Sequence, residues 1–145
     1  MRIRRLHFVA AFSIAVLAAV TSTAGAAEIG TRVPVPGGAY ADVTAPALKQ
    51  MLDGKDFFFV NVHIPYEGEI ARTDAFIPFD QVEKQLNRLP SNTSAKIVLY
   101  CQSGRMSDIA ARTLVRLGYT NLWNLEGGMI AWRQRGYPLI TAPAK

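Results

Sequence analysis

Two short runs of apolar residues constrain the fold of this chain more than any other feature. The runs at 57–62 and 97–100 contain no charged residue and a single Asn. Such runs are typical of strands that are buried on both faces of a parallel sheet. Around them the sequence predicts short strands at 75–77 and 121–125, and helices at 45–52, 81–89, 107–117 and 130–135. We therefore predict a single α/β domain with a mainly parallel, five-stranded sheet and helices on both faces.

The first 27 residues have the composition of an export signal rather than of a folded domain. Three arginines precede an apolar stretch at 8–20, and small residues at 24–26 match the pattern of a cleavage site. We expect a signal peptide over 1–27 and a periplasmic protein with no stable membrane insertion; the alternative is an uncleaved anchor. The sequence then predicts a Pro- and Gly-rich leader or linker over 28–42, the folded domain over 43–140 and a tail over 141–145.

The charge of the folded part argues against a nucleic-acid partner. The whole chain has 16 Lys and Arg against 11 Asp and Glu, which gives a formal net charge of +5. Three of the arginines lie in the signal segment, so thirteen basic residues face eleven acidic ones and the net charge falls to about +2. A charge this small provides no electrostatic footprint for nucleic acid. We expect a chain that binds no nucleic acid and is a monomer.

The single cysteine, Cys101, carries most of the functional information. It ends the apolar run at 97–100, and a short loop with one glycine separates it from the next helix. In parallel sheets ligands collect at the carboxyl ends of the strands. Backbone N–H groups and the positive end of a helix dipole stabilise a thiolate at such a place. Since a small exported domain normally pairs its cysteines and this sequence has no second one, the pattern favours a reactive thiol.

Several separated motifs around the cysteine resemble those of one known family. The run at 100–107, Tyr-Cys-Gln-Ser-Gly-Arg-Met-Ser, resembles the active-site loop of rhodanese-like sulfurtransferases. Gly-Gly at 127–128, Ala-Trp at 131–132 and Gly-Tyr-Pro at 136–138 follow in the order of that family's closing signature. The resemblance covers residues 43–139, and the exported single-domain form is similar to periplasmic phage-shock-type rhodaneses.

The resemblance implies transfer of sulfane sulfur. Thiosulfate or a persulfide passes its outer sulfur to the Cys101 thiolate, and a thiol or cyanide acceptor removes it in a ping-pong cycle without cofactor or metal. Loop N–H groups hold the terminal sulfur, Gly104 allows the backbone angles that the loop needs, and Arg105 supplies a cation to the donor. We expect Ser107 to cap the following helix. The predicted substrate-binding residues are His63, Gln102, Ser103, Gly104, Arg105, Met106 and Ser107.

Three motifs depart from the pattern of this family. Many members carry Arg where this chain has Met106, and Arg105 stands one place earlier. The family's Asp-Val-Arg reads Asn-Val-His at 61–63, and its Gly-His-Ile reads Gly-Glu-Ile at 68–70. An additional acid and a lost arginine near the site predict weak activity with thiosulfate. His63, which lies beyond a strand end, is the candidate to tune Cys101.

Four alternatives fit part of the same pattern. A phosphatase of related fold needs an Arg after five residues that follow its cysteine, and Ser107 occupies that position, so the sequence argues against phosphatase activity. A metal or proton-transfer cluster of His63, Glu67 and Glu69 is weakly indicated, because one histidine and two carboxylates are common in ordinary loops. A non-catalytic binding or sulfur-carrier module stays open, as does a redox partner that forms a mixed disulfide through Cys101.

Overall fold

The computed structural model describes residues 29–141, which form one mixed sheet between helices. The predicted export signal at 1–27, residue 28 and residues 142–145 of the predicted tail lie outside the described residues. No helix within 29–141 is long and apolar enough to cross a membrane. The elements in chain order are β1 (Thr31–Val35), β2 (Gly38–Val43), α1 (Ala45–Asp53), β3 (Phe58–Asn61), β4 (Ala75–Phe76), a 3₁₀ segment (Val82–Arg88), β5 (Ile97–Tyr100), α2 (Arg105–Arg116), β6 (Leu122–Leu125) and α3 (Gly128–Gln134).

The sheet has the strand order β1-β2-β6-β5-β3-β4, and every neighbouring pair except β1 and β2 is parallel. Short strands that alternate with helices produce this arrangement, because a parallel pair needs a crossover and a helix supplies it. The predicted α/β class with a mainly parallel sheet is therefore confirmed. The strand count is six rather than five.

Helices cover both faces of the sheet, as predicted. The α2 and 3₁₀ face is filled by residues such as Leu99 and Leu114, and the α1 and α3 face by Leu48, Tyr100 and Met129. Leu99 and Tyr100 are consecutive in β5, yet each is fully buried in a different layer. Burial of such side chains stabilises the fold by roughly 1.5–3 kcal/mol each, so the apolar run that defines β5 anchors two cores at once.

The predicted irregular leader over 28–42 is wrong for most of its length. Residues 31–35 and 38–43 form an antiparallel hairpin, β1 and β2, and β2 joins the sheet beside β6. Prolines and glycines suggested a linker, but Pro34 lies on the edge strand, where a missing backbone N–H is tolerated. Gly37, with φ of +90°, makes the turn, and Tyr40 is buried in the core. The hairpin is therefore part of the domain.

The segment around 81–89 is a kinked 3₁₀ helix rather than a regular helix. Its capping residue, Gln81, makes no side-chain capping bond. Gln85 has non-helical φ and ψ of −119° and 30°, which interrupts the helical ladder. By contrast, the helix predicted at 45–52 is confirmed as α1, and the Thr44 side chain caps it by accepting a hydrogen bond from the N–H of Ala47.

Candidate functional site

The register of the strands brings Cys101 to the carboxyl edge of the sheet. Asn61 pairs with Tyr100, and Leu99 pairs with Asn124, so the ends of β3 and β6 flank the end of β5. Cys101 follows β5 directly and is only 1% exposed. The structure therefore places the predicted nucleophile at the centre of the sheet edge where parallel α/β domains bind ligands.

The Cys101 sulfur accepts hydrogen bonds from the loop that follows it. The N–H of Gly104 lies 3.1 Å from Sγ, and the Ser107 hydroxyl lies 3.4 Å from it. The same hydroxyl is 3.1 Å from the Gly104 carbonyl oxygen, so its single proton serves one acceptor at a time. Negative charge on the sulfur draws that proton towards Sγ, because hydrogen bonds to ions are stronger than those to neutral acceptors.

Helix α2 begins immediately beside the sulfur. Gly104 is its capping residue, with φ of +95°, and Arg105 is its first residue. The first N–H groups of a helix have no intrahelical partner and carry the positive end of the dipole. Ser107 was expected to cap this helix, but it is a buried residue of the first turn. Its hydroxyl is therefore free to face Cys101, which a capping role does not allow.

Helix α3 holds the cysteine loop in place from the other side. The N–H of Met129 donates to the carbonyl oxygen of Cys101 at 2.9 Å, and the N–H of Ile130 donates to that of Gln102 at 3.0 Å. Two loop carbonyls are thus satisfied by the unpaired amides at the start of α3. The loop is fixed by backbone contacts and needs no side-chain partner for these two groups.

Gly127 and Gly128 make this contact possible. Both have positive φ, +73° and +57°, a conformation that residues with a side chain rarely adopt. A Cβ on Gly128 would lie 2.3 Å from the carbonyl oxygen of Cys101. A Cβ on Gly127 would lie 2.7 Å from the Cβ of Ala131. The Gly-Gly pair belongs to the closing signature of the family that the sequence resembles; in the structure Gly128 packs closely against the cysteine loop, and Gly127 packs against Ala131 of its own helix.

The remaining predicted loop residues differ in where they lie. Ser103 and Arg105 are exposed, and Gln102 is half-buried. The Arg105 side chain makes no hydrogen bond or ion pair with any residue of 29–141. Met106 is half-buried and packs against the core on the α2 face, and its predicted contact with substrate stays a prediction. Arg105 is the cation nearest in sequence to the nucleophile.

The structure does not bring the His63 ring into hydrogen-bonding contact with Cys101. The ring is buried, and its Nε2 lies 2.6 Å from a carboxylate oxygen of Glu67. Its Nδ1 is also buried and has no hydrogen-bond partner within the described residues. The loop that contains His63 and Glu67 lies at the same sheet edge as Cys101, so the predicted influence on the thiol stays a prediction.

Two side chains that sequence analysis did not assign to the edge hold this neighbouring loop. Asn61 donates to the carbonyl oxygen of Gly68 and accepts from the N–H of His63, each at 3.0 Å. The Tyr100 hydroxyl accepts from the N–H of Ile70 at 3.0 Å and bonds Thr73 at 2.8 Å. Burial raises the pKa of Tyr100 to about 12. An Asn within an otherwise apolar run was the only sequence signal of this role.

A third polar group ties the hairpin to α2 behind the site. The Tyr40 hydroxyl of β2 donates to Asp108, which also pairs with Arg112 at 2.9 Å. Burial, and next the hydrogen bond to Asp108, raise the pKa of Tyr40. Asp108 lies in the first turn of α2, one residue after Ser107. This contact therefore fixes the helix turn that carries the hydroxyl facing the sulfur.

Comparison with known proteins connects this geometry to a chemistry. The model of the rhodanese-like domain matches residues 44–135. A sulfurtransferase of Allochromatium vinosum is 32% identical over 104 residues, which cover 68% of this chain and 94% of that protein. A tRNA uridine(34) hydroxylase of Photorhabdus laumondii is 31% identical over 105 residues, but the match spans only 30% of the hydroxylase.

Solved structures agree with the sequence matches. A rhodanese-related protein from Thermoplasma volcanium superimposes with a TM-score of 0.59 at 27% sequence identity, and the match covers 68% of this chain and 96% of that one. A rhodanese-like domain protein from Staphylococcus aureus gives a TM-score of 0.54, also at 27% identity. That match covers 63% of this chain and 89% of the other.

Proposed function

The chain belongs to the rhodanese-like domain family, and on this premise we propose that it is a sulfurtransferase that carries sulfane sulfur as a persulfide on Cys101. The observation that supports this proposal most directly is the environment of the sulfur. The Cys101 Sγ lies against the N–H of Gly104 and the Ser107 hydroxyl, at the start of a helix of 12 residues. These two groups donate hydrogen bonds to the sulfur that we propose as the nucleophile.

The first half of the cycle loads the cysteine. The Cys101 thiolate attacks the outer sulfur of thiosulfate, a new S–S bond forms, and the bond to the sulfonate sulfur breaks, so that sulfite leaves with the electron pair. Charge is conserved, because one thiolate and one dianion become a persulfide anion and a sulfite dianion. In this proposal the unpaired N–H groups at the start of α2 bind the terminal sulfur. We assign to Arg105, an exposed residue of the first turn of α2, the binding of an anionic donor.

Mass spectrometry of the intact protein tests the persulfide. After incubation with thiosulfate and removal of excess reagent, we expect the mass to increase by about 32 Da, one sulfur atom, and cyanide to remove the added mass. Cys101→Ser is the matched control and should gain nothing. Since the family departures at Arg105 and His63 predict weak use of thiosulfate, an inorganic polysulfide serves as a second donor. The absence of an adduct with both donors would refute the proposal.

A second candidate is a binding or sulfur-carrier module that does not turn over. The tRNA uridine(34) hydroxylase relatives favour it. They match this chain over less than a third of their own length, so the domain similar to this chain is only one part of each of those proteins. Turnover separates the two functions. A sulfurtransferase releases many equivalents of thiocyanate per protein from donor and cyanide, whereas a carrier stops after one.

Export is also part of the proposal. The basic start, apolar stretch and small residues of 1–27 support a cleaved signal and a periplasmic protein. N-terminal sequencing of the protein recovered from the periplasm should begin at 27 or 28. An intact Met1 on protein that stays with the membrane would support the anchor instead.

A further inference from the structure

After α3 the chain reaches the loop that follows β3. We call residues 137–141 the C-terminal strap and residues 62–70 the β3 loop. The two segments form an isolated antiparallel bridge between Ile140 and Glu69. Both bonds of the bridge are made, because the N–H of each residue donates to the carbonyl oxygen of the other at 2.8 Å. The C-terminal strap therefore holds the β3 loop by its backbone.

The C-terminal strap is also bound to α3. The Nε1–H of Trp132 donates to the carbonyl oxygen of Pro138 at 3.0 Å. The rings of Trp132 and Tyr137 meet edge to face with their centroids 4.8 Å apart, and Leu139 packs against the core on the α1 and α3 face. The strap is therefore held by α3 at one end and by the β3 loop at the other.

These contacts close a ring around the cysteine loop. On one flank, the first N–H groups of α3 bond the carbonyl oxygens of Cys101 and Gln102. On the other flank, the N–H of Val62 bonds the carbonyl oxygen of Tyr100 at 2.9 Å, one residue before the nucleophile. The ring runs from the cysteine loop through α3 and the C-terminal strap to the β3 loop, and back to β5. The bridge is thus the contact through which the strap ties the β3 loop to α3.

The bridge depends on the backbone rather than on the Ile140 side chain, which is 51% exposed. Gly68 lies beside the bridge with φ of +104°, and a Cβ there would lie 3.0 Å from the Ile140 carbonyl oxygen. A side chain at this position is both strained and pressed against the C-terminal strap. The strap and the β3 loop are therefore fitted to each other through their main chains.

The position of the β3 loop decides how much room lies beside the nucleophile. Cys101 is only 1% exposed, so a reactant reaches its sulfur only where the neighbouring loops leave space. Asn61 pairs with Tyr100, so the β3 loop begins level with Cys101. A β3 loop that moves outward widens this flank, whereas a loop that is bonded at Glu69 keeps it narrow. Such local opening needs less free energy than global unfolding, and the bonds that it breaks set its frequency.

We propose that the C-terminal strap limits the size of the reactants that reach Cys101. While the bridge between Glu69 and Ile140 is formed, the sulfur reacts with reagents of a few heavy atoms. Larger reagents react only when the bridge opens and the β3 loop moves outward. The inference concerns access to the sulfur, so it holds for any reaction of Cys101 and its test does not depend on sulfur transfer.

Alkylation of the purified protein tests this limit, because Cys101 is the only cysteine of the chain and every adduct reports on one site. Iodoacetamide is the small reagent, and a fluorescein maleimide is the large one. Ile140→Pro removes the N–H that bonds Glu69, whereas the matched control Ile140→Ala retains it. Since loss of one hydrogen bond makes local opening about fivefold more frequent, Ile140→Pro should raise the ratio of the maleimide to the iodoacetamide rate constant about fivefold. Ile140→Ala should keep the ratio within about twofold of the wild type.

A second pair of variants opens the same contact from the β3 loop. Gly68→Ala presses on the Ile140 carbonyl, and Gly118→Ala is its control, because Gly118 also has positive φ but a Cβ there has open space. We expect the ratio to rise in Gly68→Ala alone, and this variant decides the test if Ile140→Pro does not fold. A purely structural role predicts another result, since global unfolding exposes Cys101 to both reagents alike. An unchanged ratio in Ile140→Pro and Gly68→Ala, or an equal rise in Ile140→Ala, would overturn the inference.

Discussion

Two loops follow neighbouring strands at the same sheet edge, and they use their polar groups in different ways. In the cysteine loop, 101–104, two carbonyls bond α3, while the N–H of Gly104 faces the sulfur. In the β3 loop, 62–70, the side chains of Asn61 and Tyr100 bond the backbone at three places. The reactive loop keeps donors available because another element satisfies its carbonyls. In the β3 loop these side chains pair three backbone groups, and the loop borders the sheet edge beside the cysteine loop.

The sharpest test of this difference is Gly128→Ala. A methyl group at this position meets the Cys101 carbonyl and requires a positive φ, so we expect a loss of ~3 kcal/mol in the free energy of unfolding and of most sulfur transfer. Gly136→Ala is the matched control, because Gly136 also has positive φ but a Cβ there has open space. We expect a loss of about 1 kcal/mol for it. Urea denaturation measures both, and equal losses would show that contact with the cysteine loop is unimportant.

Asn61→Ala removes one of the two side chains that hold the backbone of the β3 loop. Two buried hydrogen bonds are lost and two backbone groups stay unpaired, so we expect a loss of about 2 kcal/mol in the free energy of unfolding. Because the Asn61 side chain holds the β3 loop rather than the cysteine loop, the rate of sulfur loading per folded protein should change less than about twofold. Loading that collapses while the fold is intact would contradict the distinction between the two loops.

Tyr100→Phe tests the second side chain that holds the β3 loop. It also tests whether the free energy of unfolding depends on the ionisation of this tyrosine. We expect a loss of about 1–1.5 kcal/mol near pH 7, since the N–H of Ile70 loses its acceptor. Burial raises the pKa of Tyr100 from 10.0 to about 12 in the folded protein. The contribution of the neutral tyrosine to stability is thus complete below pH 10 and is lost as the pH rises towards 12.

The free energy of unfolding of the wild type should therefore fall over that interval, and more steeply than that of Tyr100→Phe. Tyr40 also has a raised pKa, so part of the slope stays in the variant and Tyr40→Phe is the companion measurement. If the free energy of unfolding falls with pH at the same slope in the wild type and in Tyr100→Phe, the ionisation of Tyr100 does not lower the stability of the fold.

Ser107→Ala has the smallest expected effect. Ser107 lies in the first turn of α2, the helix that follows the cysteine loop. The variant loses one hydroxyl donor to the sulfur, and we expect the kcat/KM of loading to fall about fivefold, or ~1 kcal/mol. Thr113→Ala, which removes a hydroxyl two turns further along α2, is the control. If both variants load at the wild-type rate, the Ser107 hydroxyl bonds the Gly104 carbonyl throughout the cycle.

The sequence was most informative where one residue pattern has one physical meaning. The apolar runs at 57–62 and 97–100 became β3 and β5, and Cys101 was placed correctly at the strand end. The hairpin of β1 and β2 was not predicted. Pro34 is tolerated on an edge strand and Gly37 is needed in the tight turn, but prolines and glycines are also typical of a linker.

Contacts between distant segments could not be read from the sequence. The bond from Tyr40 to Asp108 spans 68 positions, and that from the Ile70 N–H to Tyr100 spans 30. Only the register of the sheet determines them, because register decides which side chains share an edge. The role of Ser107 was misjudged for a similar reason. A serine near a helix start suggests a cap, whereas Gly104 takes that place and turns the hydroxyl inward.

The two hydrogen bonds from α3 to the cysteine loop also determine the direction of the peptide dipoles. A trans peptide unit is planar, and its N–H points opposite to its C=O. When the Cys101 and Gln102 carbonyls turn towards α3, the N–H groups of Gln102 and Ser103 must point away from it. The negative ends of both dipoles are thereby withdrawn from the loop's open side. A segment more than twenty residues further along the chain thus sets the electrostatic sign of the surface that an anionic sulfur meets.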